Sequence, residues 1–506
     1  MRKFWAVARM TVLESLRSKF AVVFLALLAA CLVTAATRFT GDGTLAGRIR
    51  TFLDYSTSLT QLLLGLMTVF LATFVVTRDI RTKTVFTVAA KPLGRVRYVL
   101  GRWFGIVLLD AALLALAMGA IYGLAQYLRG LPTAIEQKQA AGAAETESKK
   151  PDPDRRAVDN EIFAARAEVW PEPFEVEGFV QKRLDGLTEQ EGKEEFFRSR
   201  ASLRLSRLMQ AKGDSAGPSP EQVAKDAADP NVRQKIIETV KAQLRKEIIE
   251  RLQLVGPRRT LRLNFKGVSV RRSDNKAAVQ LRYRLHPLRR PDSGLVKSVW
   301  FVSNPEKGLL KGETRDDPTD SASSLDFGPE LVTSDERVVV FYNNDPRNPT
   351  AVKVKPEEVS ILYRVGGFEG NLARAGLLVL LRLTFLAAAG VLFGVFLSFP
   401  VAALTCLIVL FLGVMAEFAQ DATALPLYEN PQVLDYVSHG LSRAAFFLMP
   451  ALPVASSPAD ALRDGAYISW LKLATEAGGG TGVRALLAVA IAGLIFRRRE
   501  LARVQV

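Results

Sequence analysis

Cysteine and histidine are nearly missing from this chain of 506 residues, which has two of each: Cys31, Cys406, His286 and His439. Both cysteines sit inside apolar runs. Two thiols supply neither a zinc site nor a disulfide framework for the polar part of the chain. The histidines lie far apart, so a His-based metal site or triad is not expected. The phosphate loop Gly-x-x-x-x-Gly-Lys-Ser/Thr is absent, as are the serine nucleophile elbow and His-Glu-x-x-His. Gly478-Gly479-Gly480-Thr481-Gly482 lacks the lysine and reads as a flexible stretch. The chain is therefore expected not to be an enzyme and to hold no cofactor or metal; if ATP drives it, another subunit binds and hydrolyses the nucleotide.

What is present is apolar and basic. Hydrophobic residues make up 49% of the chain and the formal net charge is +16. The length implies more than one domain. A basic excess fits nucleic acid, a membrane surface or cytoplasmic loops. The repeated apolar runs select the membrane, with lipids as partners and no nucleic acid.

Residues 1–130 read as an interfacial helix and three spans. In the helix, 1–19, Phe4, Ala8, Val12 and Leu16 share a face opposite Arg2, Lys3, Arg9, Arg17 and Lys19. The spans follow at 20–36, 59–77 and 104–124, with 38–58 as a short outer loop. Leu28-Ala29-Ala30-Cys31 matches a lipoprotein processing box, but the apolar run continues past Cys31, so the span is preferred. Between the second and third spans, from Arg78 to Arg102, seven Lys and Arg face one acid. Such a short basic loop stays in the cytoplasm. Its middle, 81–90, is expected to form a short helix that Pro92 stops.

Residues 131–258 read as a linker (138–160) followed by helices. Thr188 with Glu191 and Ser219 with Gln222 fit capping boxes, and the stripe Ile236, Val240, Leu244, Ile248 and Leu252 marks a helix over 231–254. In 259–370 the period becomes two. Leu261, Leu263 and Phe265 alternate with Arg262 and Lys266, then Leu281, Tyr283 and Leu285 with Arg282 and Arg284. Gly267 shifts the parity, as a bulge would. Further strands are expected at 296–302, 337–342 and 359–365, making a small antiparallel β-sandwich. Arg262, Lys266, Arg282 and Arg284 are expected on one outward face of the first hairpin, either solvated or facing headgroups, glycans or a protein.

Residues 371–506 carry spans four to six, with a turn at 398–400, a re-entrant or interfacial segment at 438–456 and a sixth span reaching Phe496. Three charges fall inside spans: Asp110, Arg382 and Glu417. Asp110 is only about 10 Å from the inner edge, counted from Trp103. Arg382 and Glu417 are equidistant from the turn and are expected to pair. The fold class is thus a mainly α-helical polytopic membrane protein of six spans with both termini inside. Its large insert, helices followed by the sandwich, is extracytoplasmic and α+β.

The basic loop, 78–103, resembles that of permease subunits of type-2 ATP-binding-cassette exporters, in which an acid, a Thr, a Pro, an Arg and a Gly-Lys enter the third span in order. Asp79, Thr84, Pro92, Arg95 and Gly101-Arg102 take these places; Asp79 stands for the usual Glu, and Lys83 stands where a Gly precedes the Thr. The resemblance covers about 1–130 and 371–506. It implies a coupling loop made by Arg78, Asp79, Arg81, Lys83, Thr84, Val85, Phe86, Pro92 and Arg95. It implies a separate ATPase subunit, a homodimer or heterodimer of permeases, and export across a bacterial inner membrane. Two other readings stand beside it: an ATPase-driven mechanical component acting on an extracytoplasmic partner, and a membrane-anchored binding protein.

Overall fold

Helices α1 (Arg2–Leu16), α2 (Lys19–Arg38), α3 (Leu45–Arg81) and α4 (Arg95–Arg129) open the chain. The computed structural model describes residues 2–39, 41–82, 94–140, 152–211, 217–270, 279–423, 440, 458–478 and 480–498. It divides into two units, Met1–Arg166 with Val365–Val506, and Ala167–Arg364.

α3 begins well before the expected span, inside what reads as an outer loop. Two caps explain this. The Thr44 hydroxyl accepts from the Gly47 amide, and the Asp154 carboxylate accepts from the amides of Leu45 and Ala46, each at 2.8 Å. A helix N-terminus leaves such amides without partners, and a carboxylate there also meets the positive end of the dipole. The acid is brought by α6 (Pro153–Ala157), which follows the short α5 (Ala134–Ala140) and has Asp152 as its own N-cap. A π turn, Val158–Ile162, continues it. Residues 153–160, part of the expected linker, are therefore helical, and the turn that ends at Ile162 is packed: Val158 and Ile162 are fully buried.

In the second unit, α7 (Glu177–Glu191), α8 (Lys193–Ala211), α9 (Pro220–Ala228) and α10 (Pro230–Gln253) share one core. The Ser219–Gln222 capping box is present. Thr188 caps nothing: it lies inside α7 and its hydroxyl bonds the Leu184 carbonyl. Along α10, Ile236, Val240 and Leu244 are buried as the stripe requires, while Leu252 is 39% exposed.

The strands make two four-stranded sheets around a second core, with a short three-stranded sheet of order β2 (Leu254–Val255), β10 (Val352–Lys353), β5 (His286–Pro287) beside them. One has the order β3 (Thr260–Lys266), β9 (Arg337–Asn344), β6 (Leu295–Asn304), β7 (Leu309–Pro318). The other has β1 (Ala164–Val169), β11 (Ser360–Gly367), β4 (Val279–Arg284), β8 (Ala322–Phe327). Inward pairs such as Leu263 with Val340 and Leu281 with Leu325 fill the space between. Fully buried Trp300 packs between Tyr283 and Tyr342, centroids 4.3 and 4.8 Å away. At the end of β3, Gly267 has φ +90°, and the amides of Gly267 and Val268 both donate to the Glu336 carbonyl, two residues against one as in a bulge.

One expectation fails here. β3 and β4 are not a hairpin: β3 pairs with β9, and β4 with β8 and β11 in the other sheet. Since both strands turn their apolar sides into one core, their outward sides belong to opposite faces of the sandwich. Arg262 and Lys266 therefore lie on one face and Arg282 and Arg284 on the other, so these four do not share a basic face.

The chain returns to the first unit in α11 (Phe368–Phe396) and α12 (Phe399–Thr423), joined by a turn of just Leu397 and Ser398. Then come α13 (Pro458–Arg463), α14 (Trp470–Gly478) and α15 (Thr481–Arg498). Thr481 and Gly482 are thus helical rather than part of a flexible stretch. The segment 438–456 lies outside the described residues apart from Gly440.

Among the described residues, four helical stretches are long and apolar enough to cross a membrane: Leu45–Arg81, Arg95–Arg129, Phe368–Phe396 and Trp470–Arg498. Val22–Arg38 and Phe399–Gly413 are shorter apolar helices. The protein is a membrane-embedded, mostly helical chain with a separate antiparallel sheet region. In lipid, helices associate through close packing of small residues. α11 does this against α3, where a Cβ on Gly390 would lie 2.5 Å from the Ala72 Cβ and one on Gly394 would lie 3.2 Å from the Val76 Cβ.

Candidate functional site

The basic loop leaves the described residues at Thr82 and returns at Gly94, so Lys83, Thr84, Val85, Phe86 and Pro92, with the helix expected over 81–90, lie outside them. The two helix ends that hold the loop are well described. Asp79, one turn from the end of α3, is 2% exposed, and Arg102, two turns into α4, is 1% exposed. Arg102 Nη2 meets Asp79 Oδ2 at 2.7 Å. The acid and the base of the exporter-like motif are therefore an ion pair.

Three further groups complete the pair. The Tyr98 hydroxyl donates to Asp79 and accepts from Arg102 Nε at 3.1 Å. Arg102 Nη1 donates to Glu14 Oε2 at 2.7 Å and to the Thr11 hydroxyl at 3.2 Å. Glu14 is shared with Arg78, whose Nη2 is 3.0 Å from the same oxygen. Two carboxylates and two guanidinium groups balance: Asp79 and Arg102 are buried, while Glu14 and Arg78 are half-buried beside them.

α1 reaches this site because α4 has Gly101 and Gly105 on the facing side. A Cβ on Gly101 would lie 2.9 Å from the Val7 side chain; one on Gly105 would lie 2.6 Å from the Thr11 Cβ and 2.7 Å from the Ala8 carbonyl oxygen. The buried seam of α1 is accordingly Val7, Ala8, Thr11 and Ser15. This differs from the apolar face read from the sequence. Ala8 belongs to both, but Leu16 is 47% exposed, because the small residues and not the large ones fit against a glycine pair.

The C-terminal helix joins the same end of the bundle. Phe496 of α15 stacks on Tyr98 with centroids 6.1 Å apart, and Arg95 Nη1 donates to the Arg497 carbonyl at 3.1 Å. Arg78 is half-buried, whereas Arg81 and Arg95 are exposed.

Sequence reasoning missed Glu14, Thr11, Tyr98 and Gly105. Signals for them existed. Glu14 is the only acid before Asp42, Gly101 and Gly105 form a small-xxx-small pair, and Tyr98 precedes Arg102 by one helical turn.

The intramembrane charges are placed separately. Asp110 is fully buried and accepts from the Thr68 hydroxyl at 3.0 Å; its Oδ1 has no hydrogen-bond partner among the described residues. Arg382 Nη1 donates to Gln61 Oε1 at 2.9 Å. Gln61 and Thr68 are about 10 Å apart along α3, so Arg382 and Asp110 sit at different depths. The Glu417 side chain lies outside the described residues, and with it the expected pair with Arg382. Among the described residues no cluster of three or more His, Cys, Asp or Glu could hold a metal ion. The chain matches no family model, no curated protein and no solved structure.

Proposed function

We propose that the chain is the membrane-spanning permease subunit of a type-2 ATP-binding-cassette exporter, paired with a second permease and driven by a separate ATPase subunit that binds the nucleotide. The carrying observation is the buried Asp79–Arg102 pair with Glu14. It clamps both ends of the basic loop to each other and to α1. A push on the loop is then passed on, because the helices behind it are joined through the buried Asp79–Arg102 pair and the half-buried Glu14. That is what a coupling loop needs.

The same end of the bundle gathers the C-terminal side of α1, the end of α3, the start of α4 and the end of α15. This supports a topology with both termini on the loop side, which the positive-inside rule makes cytoplasmic. With α2 and α12 counted as the first and fifth spans, the total is six, and the insert between α4 and α11 is extracytoplasmic. The bacterial inner membrane is the matching location. An ATPase-driven mechanical component would use the same loop, and differs only in carrying no substrate across.

Charge reversal on the loop tests the coupling role. Arg81→Glu with Lys83→Glu should leave the protein inserted and folded, since Arg81 is exposed and outside the network. Inverting the charge at both positions should weaken ATPase binding by about tenfold or more, and ATP hydrolysis should no longer be coupled to the permease. Unchanged ATPase affinity and coupling in the double variant would reject the contact.

A further inference from the structure

The second unit contains a groove that neither the loop site nor the sandwich uses. α8 and α10 line a cavity of about 1020 Å³, at the upper end of the range, roughly 300–1,000 Å³, of small-molecule sites. Ile236, Val240 and Leu244 of α10 form an apolar floor, and Leu203 of α8 lines the same cavity while 61% exposed.

The rim is basic. Arg200, Arg204 and Arg207 recur on one face of α8, and Lys235 comes from α10. Arg200 is taken by Glu191, holding that carboxyl below its ordinary range through their hydrogen bonds, and Arg204 bonds Asp226 at 2.8 Å. Arg207 and Lys235 have no hydrogen-bond or ion-pair partner among the described residues. Of the acids lining the groove, Glu247 is paired with Arg251 at 2.6 Å, and only Glu238, bonded to the Gln234 amide, keeps its charge unneutralised. An apolar floor beside two unneutralised cations and one unneutralised acid complements a ligand with an apolar chain and an anionic head.

We propose that this groove binds a single-chain anionic amphiphile, a fatty-acyl carboxylate, with its chain along Leu203, Ile236, Val240 and Leu244 and its head toward Arg207 and Lys235. A docked partner helix fits less well: three turns, about 10 Å across and about 16 Å long, displace more volume than the groove holds. Amphiphiles are also at hand, because the chain belongs to a membrane-embedded protein and the end of this unit runs on into Phe368–Phe396, a helix long enough to cross a membrane. The inference does not rest on an ATPase or on export.

The test uses the full chain in phosphatidylcholine nanodiscs, labelled with a diazirine-bearing palmitate and, separately, with the matching uncharged palmityl alcohol. Adducts are mapped by mass spectrometry. Palmitate should label the peptides carrying Leu203 and Val240 at least about tenfold more than the alcohol does. Arg207→Glu with Lys235→Glu should remove most of that excess, again about tenfold. Labelling of the spans serves as the internal control and should not change, and both substituted residues are exposed, so the fold is kept. An unlabelled groove beside labelled spans would overturn the proposal. Equal labelling by acid and alcohol would also overturn it, leaving an apolar patch without head recognition. Cross-links between Lys235 residues of two copies, with no palmitate adduct, would overturn it in favour of self-association.

Discussion

Replacing Arg102 with alanine should destabilise the membrane unit by roughly 3–5 kcal/mol, the range seen when one partner of a buried ion pair is removed. Asp79 is 2% exposed, so without the Arg102 guanidinium its charge is left with little water and only the more distant Arg78, 4.0 Å away, as a counter-ion, and the Tyr98 hydroxyl does not replace a full positive charge. Glu14 also loses its closer cation, keeping Arg78 at 3.0 Å. The loss should come mainly from the stranded charge and not from the lost attraction. Arg102→Met combined with Asp79→Asn should therefore recover most of the stability, because neither position then carries a buried lone charge. Reversible unfolding of the full chain in mixed micelles, followed through the membrane unit, measures both. A coupling energy of about 2 kcal/mol or more between the two sites is expected from a double-mutant cycle. Single variants costing under about 1 kcal/mol, as exposed pairs do, would show that the pair is not buried in the membrane-embedded protein.

The second large effect is steric. Gly105→Leu puts a side chain where the Thr11 Cβ and the Ala8 carbonyl already are, 2.6 and 2.7 Å from the new Cβ. Backbone cannot yield as the tip of a flexible side chain does, so α1 must leave α4. Overpacking alone costs about 1–3 kcal/mol, and detachment of α1 also removes Glu14 from Arg102. Trypsin cleavage after Arg9 and Arg17 should accelerate by tenfold or more in right-side-in vesicles opened from the loop side. Gly119→Leu is the control on the same helix: nothing lies within 4 Å of a Cβ there, and the variant should cleave like the parent. Equal protection of α1 in Gly105→Leu would mean that the helix is not seated on the glycine pair.

The local sequence pattern was most readable where one face of an element is buried. β3 begins and ends where the alternation of Leu261, Leu263 and Phe265 does, and its glycine bulge follows from the parity change at Gly267. β7 was not readable, because this edge strand is mostly exposed and carries Lys311, Glu313, Arg315 and Asp316 without a clear alternation; its pairing with β6 is what makes it a strand. Alternation also says which residues face outward but not which sheet a strand joins, so by itself it puts Arg262 and Arg284 on one face.

Long-range contacts set the other limit. The start of α3 depends on an acid 109 positions away, and a hydropathy run cannot show such a cap. In the loop site, the order of Asp79 and Gly101-Arg102 was legible as a motif, but their pairing was not, since it arises only when α3 and α4 lie side by side. Glu14 was the most recoverable omission. A lone acid in a basic N-terminal helix next to buried membrane helices signals a buried cation elsewhere.

The proposed ATPase subunit would grip this chain at the loop between α3 and α4. The direct measurement is purification of the tagged full chain from its native membrane in mild detergent, with cross-linking from a photoreactive residue placed at position 81. A Walker-motif subunit should co-purify in stoichiometric amount, and its cross-links should converge on 81–95. Quantitative recovery of the folded chain with no nucleotide-hydrolysing subunit, or with one cross-linked elsewhere, would contradict the account.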